Sequence, residues 1–192
     1  MNRRRAIGSI MLLSTGVAGA GVGWRQLRHL GPPELDRLDA HWALIAALAE
    51  TIIPATDTPG AIEAGVPAFI VKMVKEATDR RSQQNFLLGL EETDDLCRDR
   101  YGQPFTGCSA AERSAVLRRW ERTGRKRSGG LARLQQRWTG HQFYDLLRDY
   151  TVIGYCTSQP GATQALAYDF IPGTPFQGCL PLQPGQRAWA TF

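Results

Sequence analysis

His141 and Asp145 stand four positions apart, one helical turn, and a carboxylate so placed could orient an imidazole as a base or a metal ligand. One histidine and one acid do not complete a metal site, so core or surface hydrogen bonding is the favoured reading. Thr56, Asp57 and Thr58 could offer oxygens to a cation. The glutamate that closes a calcium loop is missing, and Pro59-Gly60 follows, so capping and turning explain them. Glu91, Glu92, Asp94 and Asp95 bring carboxylates together, as acid–base work would need. They are neighbours in sequence and lie near basic residues, which reads as a solvated helix face.

What is missing narrows the function further. No Ser or Cys nucleophile has a recognisable histidine setting, and no phosphate loop, flavin fingerprint or cluster pattern occurs. Gly19 to Gly23 mimics part of a dinucleotide loop, yet no strand precedes it. His29 falls in a linker and His41 on a charged helix face. The basic run Arg118, Arg119, Arg122, Arg125, Lys126, Arg127, Arg133 and Arg137 is interrupted by Gly124, Ser128, Gly129 and Gly130. It cannot form one continuous basic helix, so a solvated turn is favoured over nucleic acid. An acidic partner surface or anionic lipid is the next reading. This is the profile of a binding subunit with no catalytic residues, metal ligands or cofactor-binding residues of its own.

The elements that would position these residues are helical. Leu35, Leu38, Trp42, Ile45, Leu48 and Ile52 recur at helical spacing until Pro54 stops the helix. Val66-Pro67 opens a second helix with Phe69, Ile70, Met73, Val74 and Ala77 inward. Arg80 to Gln84 reads as a polar break. A third helix spans Phe86 to Arg100, with Phe86, Leu90, Thr93 and Cys97 on one side. Ser109-Ala110-Ala111-Glu112 is a capping box that starts a helix to about Thr123. Leu131 to Ile153 reads as the last long helix, its apolar side drawn from Leu134, Trp138, Phe143, Leu146, Leu147, Tyr150 and Ile153. No strand alternation persists. The fold class expected is all-α, four to six helices, with a long irregular Pro/Gly-rich arm over 154–192.

That arm carries Pro160, Pro172, Pro175, Pro181 and Pro184 with Gly161, Gly173, Gly178 and Gly185, so it is neither one helix nor one strand. It is too apolar to be a solvated tail. Tyr155, Tyr168, Phe170, Ile171, Phe176, Leu180 and Trp189 are the expected partner-interface residues, since aromatic anchors dominate interface centres.

The N-terminus reads as an address. Arg3, Arg4 and Arg5 precede an uncharged stretch from Ala6 to Trp24 that five glycines dilute. Ala18-Gly19-Ala20 fits a small-residue cleavage site, so the pattern is a twin-arginine export signal. As a buried helix those glycines would cost about 1 kcal/mol each. A retained anchor stays open, because nineteen uncharged residues could just cross a bilayer. Cutting after Ala20 would lower the formal charge from +5 to +2 by removing those three arginines and no acid. The expected organisation is a signal and linker over 1–30 and one helical domain over 31–192.

Two separated blocks carry a family resemblance. Gly154-Tyr155-Cys156-Thr157-Ser158-Gln159-Pro160-Gly161-Ala162-Thr163-Gln164-Ala165-Leu166-Ala167-Tyr168, then Ile171-Pro172-Gly173 and Gly178-Cys179-Leu180-Pro181-Leu182, resembles the C-terminal signature of the gluconate 2-dehydrogenase subunit 3 family. Glu50 to Ala61 and Ala64-Gly65-Val66-Pro67 resemble its N-terminal signature. Cys156 stands where the family usually has an aromatic residue. The resemblance implies a non-catalytic small subunit of a periplasmic, membrane-associated, flavin-dependent sugar or polyol dehydrogenase. It implies a large glucose-methanol-choline-type partner holding FAD, and often a multihaem cytochrome c subunit with haem c. The small subunit would support maturation and twin-arginine export of the folded flavoprotein. A stand-alone periplasmic helical enzyme using His141 and Asp145, and a membrane-associated binding protein, are the alternatives.

Export would bring the cysteines into an oxidising compartment. Cys97, Cys108, Cys156 and Cys179 allow three complete pairings. Cys97 ends one helix and Cys108 precedes the next, so Cys97–Cys108 is the expected bridge, worth roughly 2–3 kcal/mol at most for so short a loop. Cys156 and Cys179 flank the arm and could bridge each other or reach the large subunit.

Overall fold

The structure is a computed structural model that describes residues 32–125, 140–168 and 184–188. The chain is mostly helical over these residues, as expected, and no strand is present among them. We number the helices α1 (Arg37–Ala40), α2 (Trp42–Ile52), α3 (Val66–Glu76), α4 (Arg80–Tyr101), α5 (Ala110–Arg125) and α6 (Phe143–Thr157). A 3-10 turn, Phe105–Gly107, lies between α4 and α5, and a π-helical turn, Gly161–Ala165, follows α6. Of the expected arm, only 154–168 and 184–188 fall within the described residues.

The last helix is the central one: α6 packs against α2, α3, α4 and α5. Phe143, Leu146, Leu147, Thr151, Gly154 and Tyr155 form its buried side. Two glycines permit the close approach. A Cβ on Gly89 of α4 would lie 2.1 Å from Phe143 Cγ, and one on Gly154 would lie 2.7 Å from Phe69 Cδ1. Phe143 is held on both sides, its ring centroid 5.3 Å from Phe86 and 5.2 Å from Trp120. Both distances suit tilted and edge-on aromatic pairs. Trp120 Nε1 donates to Thr93 Oγ1 at 3.1 Å, and Thr93 donates on to the Gly89 carbonyl at 2.7 Å. This polar chain through the core is therefore satisfied.

Helix ends follow local chemistry with informative departures. The Ser109–Glu112 capping box forms as expected: Ser109 N and Oγ each donate to Glu112 Oε2 at 2.8 Å. These bonds hold the Glu112 carboxyl below its usual range. The polar break at Arg80–Gln84 is instead the first turn of α4. Asp79 caps it, accepting from the amides of Arg81 and Ser82, both at 3.1 Å. Ser82 and Gln83 are buried there, and Gln83 Nε2 donates to the Val74 carbonyl at 2.9 Å, closing the end of α3. The stripe from Leu35 to Ile52 is also split. His41 turns the chain between α1 and α2, the helical phase slips, and Trp42 emerges 46 % exposed while Leu38 and Ile45 are fully buried.

The last long helix begins later than Leu131. Gly140 has φ of 78° and Gln142 is extended, so α6 starts at Phe143. Gly140 abuts the start of α4: a Cβ on it would lie 2.9 Å from the Ser82 amide nitrogen, too close for a side chain. Leu134 and Trp138 lie outside the described residues.

Gly89→Ala should destabilise the fold by about 1–3 kcal/mol, because Phe143 is clamped and cannot yield. Alanine's better helix propensity, about 1 kcal/mol, would offset only part of this. Denaturant titration checks it. Asp79→Ala should cost about 1 kcal/mol at neutral pH by uncapping α4. Burial pushes the Asp79 carboxyl up, but the bonds from Ser82 and Arg81 outweigh it and hold the carboxyl below its usual range. A depressed carboxyl stabilises the fold above its unfolded pKa and loses that contribution as pH falls through its folded pKa. The gap between the wild-type chain and this variant should therefore shrink below about pH 4, measurable by thermal unfolding over an acid series.

Candidate functional site

The two signature blocks meet in space. Pro54 ends α2, and the segment from Ile53 to Gly65 folds back over it as a compact loop. Its backbone closes on itself: Ala61 N donates to Ile53 O, and Val66 N to Ala61 O, both at 3.0 Å. Glu50, in the last turn of α2, holds the loop from inside the curve. Its Oε1 accepts from the Ala55 amide at 3.0 Å and its Oε2 from the Ile62 amide at 2.9 Å. Gly60 makes room for that carboxylate, since a Cβ there would sit 2.2 Å from Glu50 Oε1. Gly65, at φ of 73°, turns the chain into α3. Left-handed backbone of this kind favours glycine.

The other block reaches this loop through one side chain. Tyr155 of α6 is 7 % exposed, and its hydroxyl donates to the Pro59 carbonyl at 2.7 Å. Beyond it, α6 is stopped by its own signature residues. Ser158 Oγ donates to the Tyr155 carbonyl at 2.7 Å and accepts from the Gly161 amide at 3.0 Å. A Cβ on Gly161 would lie 1.9 Å from that carbonyl oxygen, so the turn requires glycine. The Ala167 amide then donates to the Ala188 carbonyl at 2.8 Å, which brings the chain back to the same place after the intervening segment.

The candidate residues fare differently. Tyr155, expected at a partner interface, sits inside the domain and fastens the loop. Tyr168 is 52 % exposed. Phe170, Ile171, Phe176, Leu180 and Trp189 lie outside the described residues, as do Arg3, Arg4, Arg5, Ala18, Ala20 and Cys179. His141 and Asp145 do not lie on one helix. His141 precedes α6 and is exposed, while its backbone amide donates to Ser82 Oγ at 2.7 Å and its carbonyl accepts from Asn85 at 2.9 Å. Thr56 donates to Asp57 at 3.0 Å and its amide to Thr58 O at 3.0 Å, which makes a turn. Among the described residues no cluster of His, Cys, Asp or Glu could hold a metal ion. Nor is any helix there long and apolar enough to cross a membrane.

The acidic face of α4 is less solvated than expected: only Asp95 is exposed, while Glu91, Glu92 and Asp94 are half-buried. Glu91 pairs with Arg37 and Asp95 faces Arg98, but Asp94 also accepts from the Phe105 amide at 3.0 Å and anchors the connection to α5. Cys97 and Cys108 are buried free thiols side by side, and Cys156 is a half-buried free thiol. The expected Cys97–Cys108 neighbourhood is real, although no bond joins them in this structure. The roles of Glu50 and Gly60 escaped sequence reading. The signal was present, because both fall inside the N-terminal signature block, but nothing local says that the carboxylate turns inward.

A profile described as gluconate 2-dehydrogenase subunit 3 matches residues 39–173. The chain belongs to the gluconate 2-dehydrogenase subunit 3 family. Neither a curated protein nor a solved structure matches it. The matched span takes in Glu50, the 53–65 loop, α6 and the turn after it, so the latch described above lies wholly inside the family region. In this subunit-3-type chain Glu50, Gly60, Tyr155, Ser158 and Gly161 share one local task, holding a loop and a helix end together.

Tyr155→Phe should cost about 1–3 kcal/mol, since it leaves a buried carbonyl without its donor. Glu50→Ala should cost about as much, because hydrogen bonds to a charged group contribute about 1.5–3 kcal/mol each. Both variants should speed proteolytic cutting within 54–64 while α4 and α5 stay resistant. Limited proteolysis with mass mapping reads this directly.

Proposed function

We propose that this chain is the non-catalytic small subunit of an FAD-dependent sugar or polyol dehydrogenase complex, and that it supports maturation and twin-arginine export of the catalytic flavoprotein. The family match over residues 39–173 carries the reading. The sequence adds the export half. Arg3, Arg4 and Arg5 before an uncharged, glycine-diluted stretch form an address suited to cargo that is already folded. A flavin is loaded in the cytoplasm, so a flavoprotein must fold before it crosses. One address on a tightly bound partner would serve both chains.

In this reading the helical domain is a docking body. A latched loop and helix end present apolar side chains without the entropy cost of ordering them on binding. Ile62, whose amide is pinned by Glu50, is 53 % exposed, and Tyr168 after the π-helical turn is 52 % exposed. These extend the expected interface set of Phe170, Ile171, Phe176, Leu180 and Trp189. FAD belongs to the large glucose-methanol-choline-type subunit and haem c to a cytochrome subunit, with this chain contributing surface only. The complex is placed in the periplasm, held at the inner membrane through its partners or an uncut signal.

Replacing Arg3, Arg4 and Arg5 together by Lys should keep both this chain and a yellow, stoichiometric partner in the cytoplasm. Fractionation followed by affinity capture of the tagged chain measures it. Normal delivery of the partner to the periplasm would defeat the carrier role, and capture without any flavoprotein would defeat the subunit role.

A further inference from the structure

Cys97 lies in the last full turn of α4 and Cys108 just before α5, at the two mouths of the connection between them. Cys97 is fully buried and Cys108 is 4 % exposed. Both belong to one buried cluster, and the two thiols lie close enough to bear on each other electrostatically. Cys108 Sγ also faces the Pro104 carbonyl at 3.5 Å. The connection over them is firmly closed. Phe105 is fully buried at its centre, with its amide held by Asp94 at 3.0 Å and its carbonyl by Arg113 Nε at 3.1 Å. Two thiols are thus brought together and sealed from solvent by the same set of contacts.

We infer that Cys97 and Cys108 form a fold-gated disulfide site, closed by exchange with a dissolved disulfide only while the α4–α5 connection is open. The chemistry needs a thiolate and access to it. In the closed domain both are denied: burial, then the neighbouring Cys108 thiol, push the Cys97 thiol up to about 12. When the connection opens, the more exposed Cys108 meets the oxidant first. Its thiolate attacks one sulfur of glutathione disulfide, forms a mixed disulfide and releases one glutathione thiolate. Cys97, now hydrated and able to deprotonate, attacks the Cys108 sulfur and expels the second glutathione. Two electrons pass to glutathione, and the two thiol protons end on the two glutathione thiolates. Closure then reseals a covalent loop whose ends the fold already held together. A chain that folds before it meets an oxidant keeps both thiols, whereas one oxidised during folding carries the bridge. Its redox state would record its folding history.

The full reduced chain is incubated with glutathione disulfide, once native and once in denaturant followed by dilution, and then alkylated and peptide-mapped without reduction. A background carrying Cys156→Ser and Cys179→Ser leaves only the two thiols in question. The diluted sample should contain a Cys97–Cys108 peptide two hydrogens lighter than the sum of its halves. The native sample should form it at least about 100-fold more slowly. Cys97→Ser or Cys108→Ser should abolish it. A second arm needs no refolding in vitro: residues 1–30 are replaced by a general secretory signal, so the chain crosses unfolded, and the same bridged peptide should appear in the periplasmic product. Absence of the bridge from both arms, or equal rates in native and unfolded samples, overturns the inference. Neither result depends on which partner the chain binds.

Discussion

The fold depends on how closely α6 can approach its neighbours. That helix sits among four others and can do so because Gly89 and Gly154 leave no Cβ where Phe143 and Phe69 must lie. Interiors pack at crystal-like density, so such a contact is either made fully or lost. Once α6 is seated, its far end is fixed, and Tyr155 is carried to within hydrogen-bond reach of Pro59, 96 residues earlier in the chain. The loop after α2, the entry into α3 and the turn after α6 all inherit their positions from that placement.

This arrangement explains why the chain spends so many specific residues on two short segments. Glu50, Gly60, Gly65, Tyr155, Ser158 and Gly161 each satisfy a backbone group or admit one at close range. None of them points chemistry outward. A side chain whose work is to hold backbone in an irregular path has few substitutes, because glycine has no replacement where a Cβ would meet an oxygen. The same economy appears at the α4–α5 connection, where Asp94 and Arg113 hold Phe105 over the two thiols.

Electrostatics play a smaller part. The ion pairs Lys75–Asp39 and Arg98–Asp94 tie surface positions together at 2.9 and 3.0 Å, but they are partly hydrated and contribute little each. Carboxylates matter here mainly as acceptors for backbone amides. Asp79 caps α4, Glu112 closes the α5 box, Asp94 anchors Phe105 and Glu50 holds the loop.

The sequence by itself determined the helical class, most inward faces, the stop at Pro54, the Ser109–Glu112 start and the family. Each of these is written in a short window as a period, a cap, a missing amide or a contiguous signature. It also put Cys97 and Cys108 near each other, because only a short connection separates them. Tertiary structure decided the rest. It turned Tyr155 inward although aromatic composition suggested an interface, because burying its ring on α6 leaves the hydroxyl a carbonyl to satisfy. It started α4 at Asp79, since a polar first turn is tolerated when Ser82 and Gln83 find backbone partners in neighbouring segments. It moved His141 off the helix, because Gly140 must pass the start of α4 with positive φ. Local pattern fixes which face of an element is apolar. Which distant group completes a buried polar atom is settled only when the helices have packed.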